Sequence, residues 1–272
     1  MMMKIWVGIV LLCSLMTNAV SARQHHLPSF SDHCGRHPAQ SCSVSANTTS
    51  LGSCCIEKKA GLFLLSQFWD VHAGYEDRWT VHGLWNDFCN GSYPSNCDPQ
   101  REYTNITEIL VSRRAFKLLQ EMNNDWPNSA GHVDDFWSHE WNKHGTCMST
   151  FEPSCYEKND PFQGMIDYYN TTMKLHKKYN VYKALKRNGI IPGHKYSTSL
   201  VQKVIKKEFN MIPDLRCNTE GHLVETWIYF HVKGPVKRMD LVPTHNNNAT
   251  NCNSTLIYPT KYPNDTADPK LW

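Results

Sequence analysis

A chain of 272 residues with 40% hydrophobic and 19% charged residues can bury a sizeable core in one or two domains, which excludes a disordered or fibrous protein. A formal net charge of +3 is too mild for a protein that coats nucleic acid, so any such contact must come from a local site. No internal run approaches the roughly 18 apolar residues of a membrane span, and no repeat or long low-complexity stretch is present.

Lys4, the apolar run 5–16 and the small residues Val20, Ser21 and Ala22 read as a secretory signal peptide over 1–22, with the mature chain starting near Arg23. The apolar run is too short to be a membrane anchor. Residues 23–53 are polar and turn-rich and read as a loop segment stapled by Cys34 and Cys42. Short apolar and aromatic runs predict strands over 61–69 and 79–85. Residues 86–101 are turn-rich. Ile109, Leu110, Phe116 and Leu119 fall at helical spacing and predict one amphipathic helix over 106–122. A shorter helix is predicted over 134–145, with Asp134 as cap and Gly145 as stop. Residues 161–179, 181–187 and 197–209 read as helices, 222–232 as a strong strand and 238–242 as a weaker one. Helices placed mainly between early and late strands predict an α+β fold: a central antiparallel sheet packed with several helices, in a single disulfide-rich domain over 23–242. The Asn/Thr/Pro-rich segment 243–272 reads as a loose C-terminal arm, partly tied down by Cys252.

Of the 11 cysteines, Cys13 falls in the signal, which leaves an even set without a C-x-x-C pair. That pattern predicts disulfides rather than zinc, and spacing alone leaves their connectivity open. N-x-S/T sequons at Asn47, Asn90, Asn105, Asn170, Asn248, Asn253 and Asn264 predict a glycosylated protein that is secreted, with vacuolar or lysosomal delivery as the alternative.

Two segments concentrate chemistry: Trp79-Thr80-Val81-His82-Gly83-Leu84-Trp85, and Phe136 to Cys147, which places His139, Glu140, Lys143 and His144 among large aromatic rings. On a helix turning about 100° per residue, with His139 at zero, Lys143 lies near about 40°, Glu140 near about 100° and His144 near about 140°. All four face one sector, and Trp141 can enter the core beside Trp137. The histidines are five apart, not four as in the H-E-x-x-H zinc motif. Their imidazoles should therefore diverge, and Lys143 between them would repel a cation. Two imidazoles, an ammonium and a carboxylate suit metal-free cleavage of RNA. One imidazole takes the 2′-hydroxyl proton, the other gives a proton to the departing 5′-oxygen, and the fixed charge steadies the transition state.

At these two segments the sequence resembles the ribonuclease T2 family, whose two active-site blocks, H-G-L-W and F-x-x-H-E-W-x-K-H-G-T-C, are both complete here and in order. The resemblance runs from about Cys34 to about Val242, includes Gln67-Phe68-Trp69-Asp70, and is nearest in pattern to the fungal-type secreted members. It departs at Asn86, where proline is usual. It implies an endoribonuclease that cleaves single-stranded RNA with little base specificity through 2′,3′-cyclic phosphates to 3′-phosphates. It implies no metal or organic cofactor, no membrane contact and a monomer. His144 is implied as general base and His82 as general acid of the first step, with the roles exchanged in the second. His139 is implied as a phosphate ligand, and Lys143 and Glu140 as stabilisers of the pentacovalent intermediate. Trp85, Asp87 and Tyr93 are implied to form one base site, and Phe136 with Gln67 a second. The pairing implied is Cys34–Cys55, Cys42–Cys89, Cys54–Cys155, Cys97–Cys147 and Cys217–Cys252.

Trp79, Trp137 and Trp141 read as core. The histidines outside the two segments, among them His72, His176 and His222, read as solvated or incidental, and Lys203, Lys206 and Lys207 as a solvated helix face. A secreted protein that uses this fold for binding or signalling, and a metal hydrolase, are the competing functional classes.

Overall fold

The computed structural model describes residues 34–35, 38–48, 50–244 and 250–262. The expected signal peptide and its cleavage position, the sequons at Asn248 and Asn264, and the end of the C-terminal arm lie outside the described residues. In chain order the elements are α1 (Val44–Thr48), β1 (Leu62–Phe68), β2 (Thr80–Asp87), α2 (Ile106–Ser112), α3 (Phe116–Asp125), α4 (Val133–Lys143), α5 (Gln163–Lys178), α6 (Val181–Arg187), β3 (His194–Ser197), α7 (Thr198–Phe209), β4 (Asp214–Cys217), β5 (Leu223–Val232), β6 (Leu241–Pro243) and β7 (Thr255–Tyr258). The fold is α+β, as the order of patterns predicts. The main sheet runs β2-β1-β5-β4, with β6 pairing β5, and every pairing in it is antiparallel. Among the described residues no helix is long and apolar enough to cross a membrane.

Side chains alternate across the sheet, and the alternation sorts core from site. From β1, Phe63 and Leu65 join the large core with the buried faces of α2 to α7, while Leu62 and Leu64 pack on the other face with Tyr229, Trp85 and Trp227. Helix α5 holds the two motif segments together. The Tyr168 hydroxyl lies 3.1 Å from the carbonyl of Leu84 on β2 and 3.3 Å from that of Glu140 on α4. Tyr169 donates to the Trp137 carbonyl at 2.8 Å.

The predicted helix 106–122 is two helices. The chain turns at Arg114, which has φ +55°, and Ala115 N–H closes back on the Leu110 carbonyl at 2.8 Å. This is a left-handed helix cap built without glycine, so composition does not announce it. The four-residue strands β3, β4 and β7 also go unread: β3 and β7 pair only with each other across some sixty residues, and β4 is a short strand paired to the neighbouring β5. The loose arm is corrected over 250–262. There β7 pairs β3, Leu256, Tyr258 and Lys261 are buried, and Pro259 accepts from the Trp69 indole at 2.8 Å. The five disulfides are those that the resemblance implies. Of the remaining sequons, Asn90, Asn105 and Asn253 are exposed and Asn170 on α5 is half-buried.

Candidate active site

One register slip aims the first histidine. Ser66 pairs Gly83 and Gln67 pairs Val81, so His82 is the extra residue of a β-bulge between β1 and β2. A bulge re-aims the side chain that it carries. The His82 ring stacks on Phe68 at 4.0 Å between centres, meets Trp85 edge-on at 4.7 Å and approaches Phe136 at 5.8 Å. Its Nδ1 lies 2.6 Å from Glu225 Oε1 on β5, and its Nε2 3.5 Å from Glu140 Oε1 on α4.

Helix α4 delivers the second group. Asp134 lies in its first turn, where a carboxylate suits the helix dipole. It does not cap the helix as expected but accepts from the amide and hydroxyl of Thr107 at 2.8 and 2.7 Å. Trp137 and Trp141 are fully buried, as the helical spacing predicts, and their indoles donate to the Trp126 and Arg101 carbonyls. His139 is exposed at the cleft, Glu140 is fully buried and Lys143 ends the helix. His144 is its C-cap, and its ring lies nearly parallel to Trp85 at 4.9 Å. Two glycines make this packing possible. A Cβ on Gly83 would lie 2.0 Å from Glu140 Oε2, and one on Gly145 would lie 2.3 Å from the Trp141 ring. Asn86, at the position where the family pattern has proline, is buried and donates to the Cys147 carbonyl at 3.1 Å, tying β2 to the turn after His144.

The charges are arranged for an anion. Burial, then Lys143, His139 and His82, hold His144 down to about 2, so its ring is neutral and can accept a proton. Burial, Lys143 and His82 also lower His139. Burial raises Glu140 to about 7 against the pull of His82, the Trp85 hydrogen bond and Lys143. Trp85 Nε1 donates to Glu140 Oε2 at 2.7 Å, while Oε1 is buried without a hydrogen-bond partner.

The expected divergence of the two imidazoles is corrected. Donor atoms of His139, Glu140 and His144 lie within 4.8 Å of one another, because His144 caps the helix and its backbone (φ −111°, ψ −50°) departs from the ideal path. A divalent cation there would meet the same Lys143 field that depresses both imidazoles, and a carboxyl held toward its neutral form. A phosphate would meet favourable charge from the ammonium and hydrogen-bond donors from the rings.

The residues expected to hold bases are only partly brought together. Trp85 and Asp87 share one face of β2, and desolvation raises Asp87 to about 7. Tyr93 is 65% exposed on the loop after β2. Trp85 is not a bare platform, since one face is taken by His144 and its indole N–H by Glu140. Phe136 lines a pocket of about 150 Å³ beside His82 with Phe68, Thr80, Pro127, Asn128 and Ser129. Gln67 is not there, a correction to the implied second base site. It is fully buried on the opposite face, where its carbonyl meets His176 Nδ1 at 2.7 Å and its amide donates to the Tyr179 carbonyl at 3.2 Å. The strand period of two puts its neighbour Phe68 in the pocket instead. His176 is accordingly not incidental surface: it is buried, and burial lowers it to about 4.

Sequence reasoning missed Ser66, Phe68 and Glu225. A signal for Glu225 existed: a carboxylate within the mostly apolar and aromatic run of β5 needs a partner, because an unpaired buried charge is costly.

A sequence model of the ribonuclease T2 family matches residues 36–255. The chain is 38% identical over 232 residues to ribonuclease T2 of Aspergillus oryzae, covering 83% of this chain and 84% of that one. It is 37% identical over 225 residues to ribonuclease Rh of Rhizopus niveus, covering 82% and 91%. Among solved structures it is similar to that of Actibind, described as a T2 ribonuclease, with a TM-score of 0.77, 36% identity and coverage of 83% and 96%. With the sequence match spanning the sheet, α4 and every residue of the cleft, the chain belongs to the ribonuclease T2 family of RNA endonucleases.

Proposed function

We propose that the chain cleaves single-stranded RNA by transesterification at the 2′-hydroxyl and then hydrolyses the 2′,3′-cyclic phosphate to a 3′-phosphate, with little base specificity. The observation that carries this reading is that His82 and His144 both lie against the Trp85 ring, one edge-on and one stacked. In the first step His144, neutral, takes the 2′-hydroxyl proton as that oxygen attacks phosphorus. The bond from phosphorus to the 5′-oxygen breaks, and that oxygen takes the proton from His82 Nε2. In the second step His82 takes a proton from water as its oxygen attacks phosphorus, the bond from phosphorus to the 2′-oxygen breaks, and His144 returns a proton to that oxygen. The phosphate's own charge offsets the Lys143 field and makes His144 a better base when substrate is bound. Lys143 and His139 face the non-bridging oxygens, and Glu140 in its neutral form donates from the oxygen that lacks a partner.

RNA and DNA incubated with the purified protein, with and without chelator, test this. RNA should pass through 2′,3′-cyclic phosphates in either condition and DNA should resist. Abolition by chelator with rescue by zinc would establish the metal hydrolase instead. The apolar leader, the exposed sequons and the disulfides support a secreted glycoprotein, with delivery to a vacuole or lysosome as the alternative. The reading includes a monomer that needs no metal and no membrane.

A further inference from the structure

We infer that Ser66 and Glu225 are a positioning pair for His82: they keep one proton on its Nδ1, so that Nε2 alone exchanges protons with substrate. This rests on the acid role proposed for His82. Glu225 lies on the interior strand β5 with 13% of its side chain exposed, and its Oε1 meets His82 Nδ1 at 2.6 Å and accepts from the Ser66 hydroxyl on β1. The nearest cation in the sheet is engaged elsewhere. Arg216 is the register partner of Glu225 on β4, yet it bonds Asp214 Oδ2 at 2.5 Å and covers the Trp227 ring at 3.9 Å. The carboxylate charge is therefore directed at the imidazole. Burial works to raise Glu225, but the hydrogen bonds from His82 and Ser66 and the charge of His82 outweigh it and hold the group ionised. A carboxylate acceptor selects the Nδ1–H form of a neutral imidazole and fixes the ring's orientation. The other charged or titratable groups around His82 are Glu140 at Nε2, His139, Lys143 and His144 across the cleft, and Asp70 in the adjoining pocket. Of these, Glu140 faces the nitrogen that reacts, so only Glu225 can set the other one.

The test is Glu225→Gln, which keeps shape and removes charge, beside Ser66→Ala, with steady-state kinetics on a dinucleoside phosphate and ¹⁵N shifts of labelled His82. The expected result for Glu225→Gln is a kcat lower by about 10-fold or more, with KM within about two-fold. Ser66→Ala should lower kcat by less, and the ¹⁵N shifts should place the neutral-form proton of wild-type His82 on Nδ1. A folded Glu225→Gln with wild-type kcat overturns the inference, as does a neutral-form proton on Nε2. Should Glu225→Gln fail to fold, the wild-type ¹⁵N shifts decide. His82→Ala is the separate control: near-normal turnover there would remove the acid role itself rather than its positioning.

Discussion

The indole of Trp85 donates to Glu140 Oε2 at 2.7 Å, so a side chain of β2 holds the buried carboxyl of α4 in place. The same ring lies against His144. Trp85→Phe keeps that stack and removes the donor, leaving a second Glu140 oxygen unsatisfied at a cost of about 1–3 kcal/mol. The expected outcome is a kcat lower by about 10-fold with KM little changed, whereas Trp85→Ala should weaken every substrate together because the wall is gone. Wild-type kcat in Trp85→Phe would show that the hydrogen bond is idle.

The two histidines should lose activity differently from His139. His82→Ala and His144→Ala should each lower kcat by at least ~10²-fold, the usual scale for losing an acid or base. His139→Ala should act mainly on KM, since that ring is exposed at the cleft and is not stacked on Trp85. Initial rates on poly(A) and poly(U) check this, and near-normal turnover of a folded variant removes the corresponding assignment.

Glu140 makes stability depend on pH. Its folded-state value is raised from 4.5 to about 7, so the folded protein binds this proton more tightly than the unfolded chain does. The contribution is fully present below about pH 4.5 and is lost as pH rises through about 7. Urea titrations of the wild type should show unfolding free energy falling across that window, and Glu140→Gln should flatten the fall. An unchanged slope in Glu140→Gln would assign it to other groups.

Asp87 makes base choice depend on pH. Desolvation raises it to about 7, so it is protonated below that and a pure acceptor above. An acceptor favours bases with an exocyclic amine, so adenine should be favoured mildly over bases lacking that donor, and more at pH 8 than at pH 5. Asp87→Asn should remove that drift. The check is kcat/KM over the sixteen dinucleoside phosphates at both pH values, and a drift that survives Asp87→Asn places base selection elsewhere.

Cys97–Cys147 braces the turn that follows His144, assisted by Cys97 N–H on Thr146 Oγ1 at 3.1 Å. Replacing both cysteines by alanine should lower stability by ~2–5 kcal/mol on a chain-entropy argument. Denaturant midpoints measure it. A thiol titration of the denatured mature protein, without the leader that carries Cys13, should read near zero, and a stoichiometric thiol would show one of the five bridges to be open.

What the sequence determines by itself is local. The helical spacing of Phe136 to Lys143 puts Trp137 and Trp141 into the core and His139, Glu140 and Lys143 toward the cleft, because the period of a helix depends only on neighbours a turn away. The two motif blocks likewise carry the identity of the reacting groups. Tertiary structure decided the rest, where the cause lies far along the chain. The bulge at His82 and its Glu225 partner require β1 and β5 to meet. The single-residue step between Gln67 and Phe68 decides which of them lines the pocket, and only the register of the assembled sheet supplies it. Residues 255–258 look like a loose polar tail until β3 offers an edge on which Leu256 and Tyr258 can be buried. His144 escapes the ideal helix because it is the cap, and its ring is placed by Trp85 from another element. In each case the deciding contact joins residues that no window of sequence contains.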